Sequence, residues 1–98
     1  MLHFEWDYLK AEKNVYKHGV TFQEASTVLA DPLSETFPDP DHSWTEDRYV
    51  TIGLATTGRI LIVSHTDRGE NIRMITARRA TPREKHYYER KSQRDPRR

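Results

Sequence analysis

Residues 48–84 read RYVTIGLATTGRILIVSHTDRGENIRMITARRATPRE, and this stretch decides the fold. It contains three runs rich in β-branched and other apolar residues, at about Arg48–Leu54, Arg59–Thr66 and Asn71–Ala77. Short connectors carrying Gly58 and Gly69 separate them. Runs of this kind form strands, and glycine in so short a connector supplies the backbone freedom of a hairpin turn. The stretch therefore predicts an antiparallel meander of two hairpins. It closes on Thr81-Pro82-Arg83-Glu84, a capping box with proline at the first helical position. A final helix should run from there to about Lys91.

Upstream, Leu2–Trp6 alternates and predicts a short strand. Asp7 is a good N-cap for a helix over about Tyr8–His18, with Leu9, Val15 and Tyr16 as part of its buried stripe and Gly19 at its C-cap. Thr21-Phe22-Gln23-Glu24 is another capping box, opening a helix from Phe22 to about Ala30 that Asp31-Pro32 ends. Residues 33–46 are polar, and Pro38 and Pro40 predict irregular chain there. The resulting order is strand, helical hairpin, three antiparallel strands, helix. That is an α+β domain over residues 1–90, with helices covering one sheet face and the other free for a ligand. The tail 91–98, KSQRDPRR, lacks apolar side chains and should be a disordered basic extension.

Charge is sorted along the chain. Residues 1–47 hold three lysines against ten carboxylates, a net of −7; residues 48–98 hold thirteen cations against five, a net of +8. Eleven of those thirteen are arginine, whose planar fork grips phosphate at any physiological pH. Such a bias points to a polyanion, most simply a nucleic acid. The alternative is a charged surface paired across the fold. No apolar run of about 18 residues occurs, so no membrane span is expected, nor is there a signal-peptide pattern. The absence of cysteine excludes disulfides and thiolate zinc sites, and it fits the cytoplasm.

The chemistry-bearing candidates cluster after residue 60. Arg78 and Arg79 lie where the third meander strand meets the last helix, a place where free backbone N–H groups add to arginine charge around an anion. Either they bind phosphate or they pair with carboxylates of the first half. His65, near the end of the second strand, can move a proton near neutral pH, and the following hairpin, with Arg68 and Glu70, brings its neighbourhood toward Arg73. Together these groups suit phosphodiester cleavage by a ribose 2′-hydroxyl. A histidine on a strand also serves structure alone. Asp39, Asp41 and His42 share a loop but match no metal-ligand spacing, so neither metal nor cofactor is expected. Trp6, Trp44 and Tyr87-Tyr88 could stack on bases, with Trp6 and one tyrosine also candidates for the core.

Several pieces, in order, resemble the BrnT family of bacterial toxins. These are FEWD with Lys10-Ala11 and Asn14, then KHGVTF with Glu24-Ala25, and the Asp31-Pro32 stop. EDRYVTIG, Gly58-Arg59 and IRMITARRAT with Glu84 and Tyr88-Glu89 follow, so the resemblance covers roughly Phe4 to Glu89. The family often has Ile-Ser-Ala-Arg where this chain has Ile75-Thr76-Ala77-Arg78, and Glu-Arg where it has Glu84-Lys85; both keep the chemical type. The resemblance implies a RelE-like fold and a metal-independent endoribonuclease, the toxin of a type II toxin–antitoxin pair that arrests growth. It implies a BrnA-type antitoxin as partner, operator DNA reached only through that complex, and a toxin dimer within a heterotetramer as one assembly. By position it places catalysis on Arg78, Arg79, His65, Arg68 and Glu70, and RNA binding on Lys10, Trp6, Arg73 and Tyr88. The competing reading is a non-catalytic module that binds nucleic acid or a partner, such as an inactive toxin relative acting in operon repression.

Overall fold

A computed structural model describes residues 2–39, 41 and 47–94. Its elements are β1 (His3–Glu5), α1 (Tyr8–His18), α2 (Phe22–Val28), β2 (Glu35–Pro38), β3 (Arg48–Leu54), β4 (Ile60–Arg68), β5 (Asn71–Arg79) and α3 (Pro82–Arg94). The strands form one sheet in the order β1-β5-β4-β3-β2. The meander is antiparallel as expected, and Gly58 (φ 90°) and Gly69 (φ 61°) carry its turns. β1 joins the sheet parallel to β5, with Phe4 opposite Ile72.

The helix starts follow the sequence closely. Asp7 accepts the Lys10 amide at 3.0 Å, and Gly19 ends α1 at φ 69°. Thr81 and Glu84 form the full reciprocal box: Glu84 N–H donates to Thr81 Oγ1 at 3.2 Å, and Thr81 N–H to Glu84 Oε1 at 2.9 Å. At Thr21 only half the box forms, the Glu24 amide donating to Thr21 Oγ1 at 3.0 Å. The Glu24 carboxylate turns instead to Arg59 Nε at 2.7 Å. α3 runs on to Arg94, beyond the predicted end, and residues 95–98 lie outside the described chain.

Three expectations need correction. First, residues 35–38 are a strand, antiparallel to β3, with Pro38 opposite Tyr49. Proline is tolerated because β2 is an edge strand and Pro38 is its last residue. Second, helices cover both sheet faces. On one face Val20, Phe22, Ala25 and Val28 pack on Leu61, Val63, Met74 and Ala77; on the other, Tyr88 of α3 joins Leu33, Ile52 and Ile62. The unbroken run Ile60-Leu61-Ile62-Val63 marks a strand buried on both sides rather than one. Third, Leu9, Val15 and Tyr16 are exposed on α1, at 64%, 44% and 95%. The inner side of that helix is instead Ala11 and Asn14.

Asn14 explains how so polar a helix is held. Its Nδ2 donates to the carbonyls of Val20 (2.9 Å) and Ala77 (2.8 Å), and its Oδ1 accepts the Ala77 amide at 3.0 Å. β1 pairs only with residues 71–73, so the upper edge of β5 is open there. The Asn14 amide stands in for a missing strand. Among the described residues no helix is long and apolar enough to cross a membrane.

Candidate functional site

Alternation along β5 sends its last two arginines to opposite faces, since Arg78 stands opposite Ile62 and Arg79 opposite Leu61. Arg78, half-exposed, is committed to an ion pair. Its Nη1 and Nη2 donate to the two Glu84 oxygens at 2.8 and 3.0 Å, and Nη1 also reaches the Arg79 carbonyl at 3.2 Å. The guanidinium, helped by the Thr81 amide, pulls the Glu84 carboxyl down to about 2 despite partial burial. The pairing alternative therefore holds for Arg78, but with a carboxylate of its own half. Arg79 is exposed. It lines a hollow of about 150 Å³ with Gly58, Arg59, Ile60, Ala80 and Lys85. Arg59 is ion-paired with Glu24. Among the described residues Arg79 and Lys85 are in no ion pair, though Arg79 lies close enough to Glu24 to help lower its carboxyl.

His65 is not beside them. It is 5% exposed and stands opposite Met74 and Tyr49, three residues along β4 from the position facing Arg78, about 10 Å away. Its Nε2 is 2.8 Å from Thr51 Oγ1, which is itself 2.6 Å from Thr36 Oγ1. Its Nδ1 is buried with no hydrogen-bond partner. Burial pushes the imidazole below its usual value, against a small opposing effect of Asp67. The enclosed imidazole, its neutral form favoured by burial, is stacked on Tyr49 at 5.9 Å between ring centroids.

The other expected residues scatter. Arg68 and Glu70 lie at the β4–β5 hairpin, the far end of β5 from Arg79, roughly 25 Å along the strand. Arg73 donates to Glu5 at 3.0 Å and ties β1 to β5. Trp6 packs edge-on against Phe22, and Tyr88, 3% exposed, donates its hydroxyl to Asp31. Tyr88 is enclosed beneath α3, and Trp6, half-buried, packs on the α2 side. Asp39 accepts the Asp41 amide at 3.2 Å in a turn. His42 and Trp44 lie outside the described residues, among which no three His, Asp or Glu side chains gather as a metal site would require.

Lys10, an RNA-binding candidate, faces an open hollow, and in company that the sequence reading did not include. With Lys13, Lys17, His18 and Arg48 it surrounds a hollow of about 360 Å³ floored by Asn14, Ile75 and Thr76. Spacings of three, four and seven place the three lysines on one flank of α1. That signal was present in the sequence but hidden by the ten carboxylates of the same half.

A family model described as "Ribonuclease toxin, BrnT, of type II toxin-antitoxin system" matches residues 6–84. Among solved structures, that of the Brucella abortus ribonuclease toxin, BrnT, is similar at a TM-score of 0.66 and 25% identity, covering 83% of this chain and 99% of that one. A search of curated proteins gives no match. The α+β order, with its helical hairpin, antiparallel meander and closing helix, is thus the RelE-like fold that a BrnT toxin adopts. The matched span runs from the Trp6 anchor through the meander and both strand-end arginines to the Glu84 cap of α3, and on that span the chain belongs to the BrnT family of ribonuclease toxins of type II toxin–antitoxin systems.

Proposed function

We propose that this chain is an endoribonuclease toxin whose scissile phosphate lies against Arg79. The match of residues 6–84 to a ribonuclease toxin family carries the reading. Arg79 is exposed at the end of β5 and shares its hollow with Lys85, so two cations meet an incoming phosphodiester there. A ribose O2′ attacks phosphorus and loses its proton; the O2′–P bond forms as the P–O5′ bond breaks, and O5′ gains a proton. Charge grows on the non-bridging oxygens during attack, and the Arg79 guanidinium stabilises it there. Arg78 works from the opposite face as a positioning residue, since its bidentate pair with Glu84 fixes the turn that carries Arg79. His65, Arg68 and Glu70 stand outside this arrangement.

The toxin is neutralised by a BrnA-type antitoxin whose acidic segment covers the Arg79–Lys85 end, and operator DNA is reached only through the antitoxin. Charge complementarity supports that choice of surface. Induced expression in bacteria, with growth and total RNA followed together, tests the reading against an Arg79→Ala variant. Wild type should arrest growth and lose RNA, and the folded variant should lose about 10²–10³ in cleavage rate. Wild-type protein that is soluble, folded and harmless to RNA with and without ribosomes would overturn it.

One observation favours a non-catalytic binding module instead. Among the described residues no histidine or carboxylate lines the hollow at Arg79, and the histidine expected to move a proton is enclosed. On that reading RNA binding would fall steeply with salt, and no cleavage would occur at any concentration.

A further inference from the structure

We infer that α1 is a single-strand RNA platform, in which the Lys10–Lys13–Lys17–His18–Arg48 hollow takes backbone phosphate and Tyr16 takes a base. The inference rests on RNA as the substrate, but not on Arg79 as the site of cleavage.

The hollow draws on both halves of the chain, three lysines and a histidine from α1 and Arg48 from the start of β3. Among the described residues no carboxylate lines it, and Lys10, Lys13 and Lys17 are in no ion pair. Lys10, Lys13 and Lys17 on one helix flank repel one another, so an anion between them relieves a cost that the folded chain otherwise carries. Ile75 and Thr76 form the floor, where a bulge between β4 and β5 leaves Ile75 out of the ladder. The buried Asn14 hydrogen bonds hold α1 rigidly along this edge, so the lysine stems start from fixed positions.

Tyr16 supplies the second half of the argument. At 95% exposure it is the most exposed of the large hydrophobic side chains on the helix, and packing on the described residues does not explain a ring there. Helical geometry puts it three residues from Lys13 and beside Lys17, so ring and ammonium groups line one shallow surface with Glu12. Glu12 is engaged by the Tyr8 hydroxyl, whose proton it helps to retain. Interleaved aromatic and cationic groups suit an extended strand: phosphates track the cations, and an unstacked base lies on the ring whatever its identity. A duplex would offer no free base face to Tyr16, so the surface fits single-stranded RNA.

The test is binding without chemistry. A fluorescein-labelled 12-nucleotide RNA with every 2′-hydroxyl methylated cannot be cleaved, so fluorescence anisotropy reads affinity alone. Wild type should bind, and the Lys13→Gln/Lys17→Gln variant should bind about tenfold or more weaker, with a salt slope shallower by about 1.4, the loss of two single-strand phosphate contacts. Tyr16→Ala should weaken binding roughly tenfold with the slope unchanged. Both variants change exposed side chains, and a thermal melt checks that they stay folded. Unchanged affinity in either variant overturns the proposal, as does a wild type that fails to bind at low salt. Binding that depends on α1 while cleavable RNA stays intact would instead count against the ribonuclease reading alone. If Tyr16→Ala alters the sedimentation of the protein but not its affinity for RNA, the surface joins copies of the chain and the platform is wrong.

Discussion

Asn14 shows what a single side chain can replace. Its amide satisfies both backbone groups of Ala77 as well as the Val20 carbonyl, all in the interior. Asn14→Ala leaves those groups without partners and should cost about 2–4 kcal/mol, measured as a lower urea midpoint with an unchanged slope. Asn14→Asp should fare little better, because it cannot donate to either carbonyl. His65 is a second case in which burial decides the role. Its pKa is depressed in the fold, so between the folded and unfolded values the unfolded chain binds more protons. Stability from this residue is therefore complete above the unfolded value of 6.5 and declines as pH falls below it. Chemical unfolding at pH 7.5 and 5.5 should show that decline in wild type and a flatter profile in His65→Met. Equal profiles would mean the imidazole is not held neutral. Alternation along β4 puts His65 on the buried Leu61–Val63 side, beside Thr51, so its enclosure follows the strand's own pattern. The extra residue at the ladder shift is Ile75 of β5, which leaves β4 regular.

At the scale of elements, local chemistry was more informative than periodicity. Asp7, Gly19, Thr21 and Thr81 each mark a boundary through a hydrogen bond or a φ angle that only a few residue types provide, and the structure places those boundaries where the sequence does. The faces were harder. A stripe of Leu9, Val15 and Tyr16 looked like the inside of α1, yet the small Ala11 and the polar Asn14 are what approach β5. Close approach also governs α2. A Cβ on Gly53 would lie 2.8 Å from Val28 Cγ1 and 3.0 Å from Ser34 Cβ, so the helix can seat on β3 only because nothing projects there. Gly53→Ala should force α2 outward and cost about 1–3 kcal/mol, read as a lower melting temperature. Unchanged stability would show that α2 shifts freely. Arg79 was legible as a site candidate because it ends a strand. Lys13 and Lys17 were not, because the ten carboxylates of the same half mask them, and Tyr16 was not, because it reads as part of the buried stripe of α1.

Across the whole molecule, the opposed charges of the two halves are partly consumed in holding the fold together. Glu5 pairs with Arg73, Glu24 with Arg59 and Glu35 with Lys91, each a carboxylate of the first half on a cation of the second; Arg78 and Glu84 add a pair within the second half. These contacts join β1 to β5, α2 to the β3–β4 turn, β2 to α3, and β5 to α3. All four carboxyls are held below their usual range. Asn71 and then Arg73 act on Glu5, and Arg59 acts on Glu24. At Glu35 burial works upward but is outweighed by Lys91 and Tyr87, and Arg78 draws Glu84 to about 2. Depressed carboxyl pKa values contribute stability that is present above the unfolded value of 4.5 and lost as pH falls toward the folded ones. Surface screening makes each contribution small, Glu84 supplying on the order of 1 kcal/mol once its partial exposure is allowed for. Their sum should still appear as a fall in melting temperature between about pH 5 and pH 2.5, separate from the His65 effect above it. Replacing Glu24 and Glu84 by Gln should lower stability at pH 7 and flatten that acid limb. A double variant with the wild-type limb would mean that these pairs are surface ornaments, and that the sorted charge serves the partner alone.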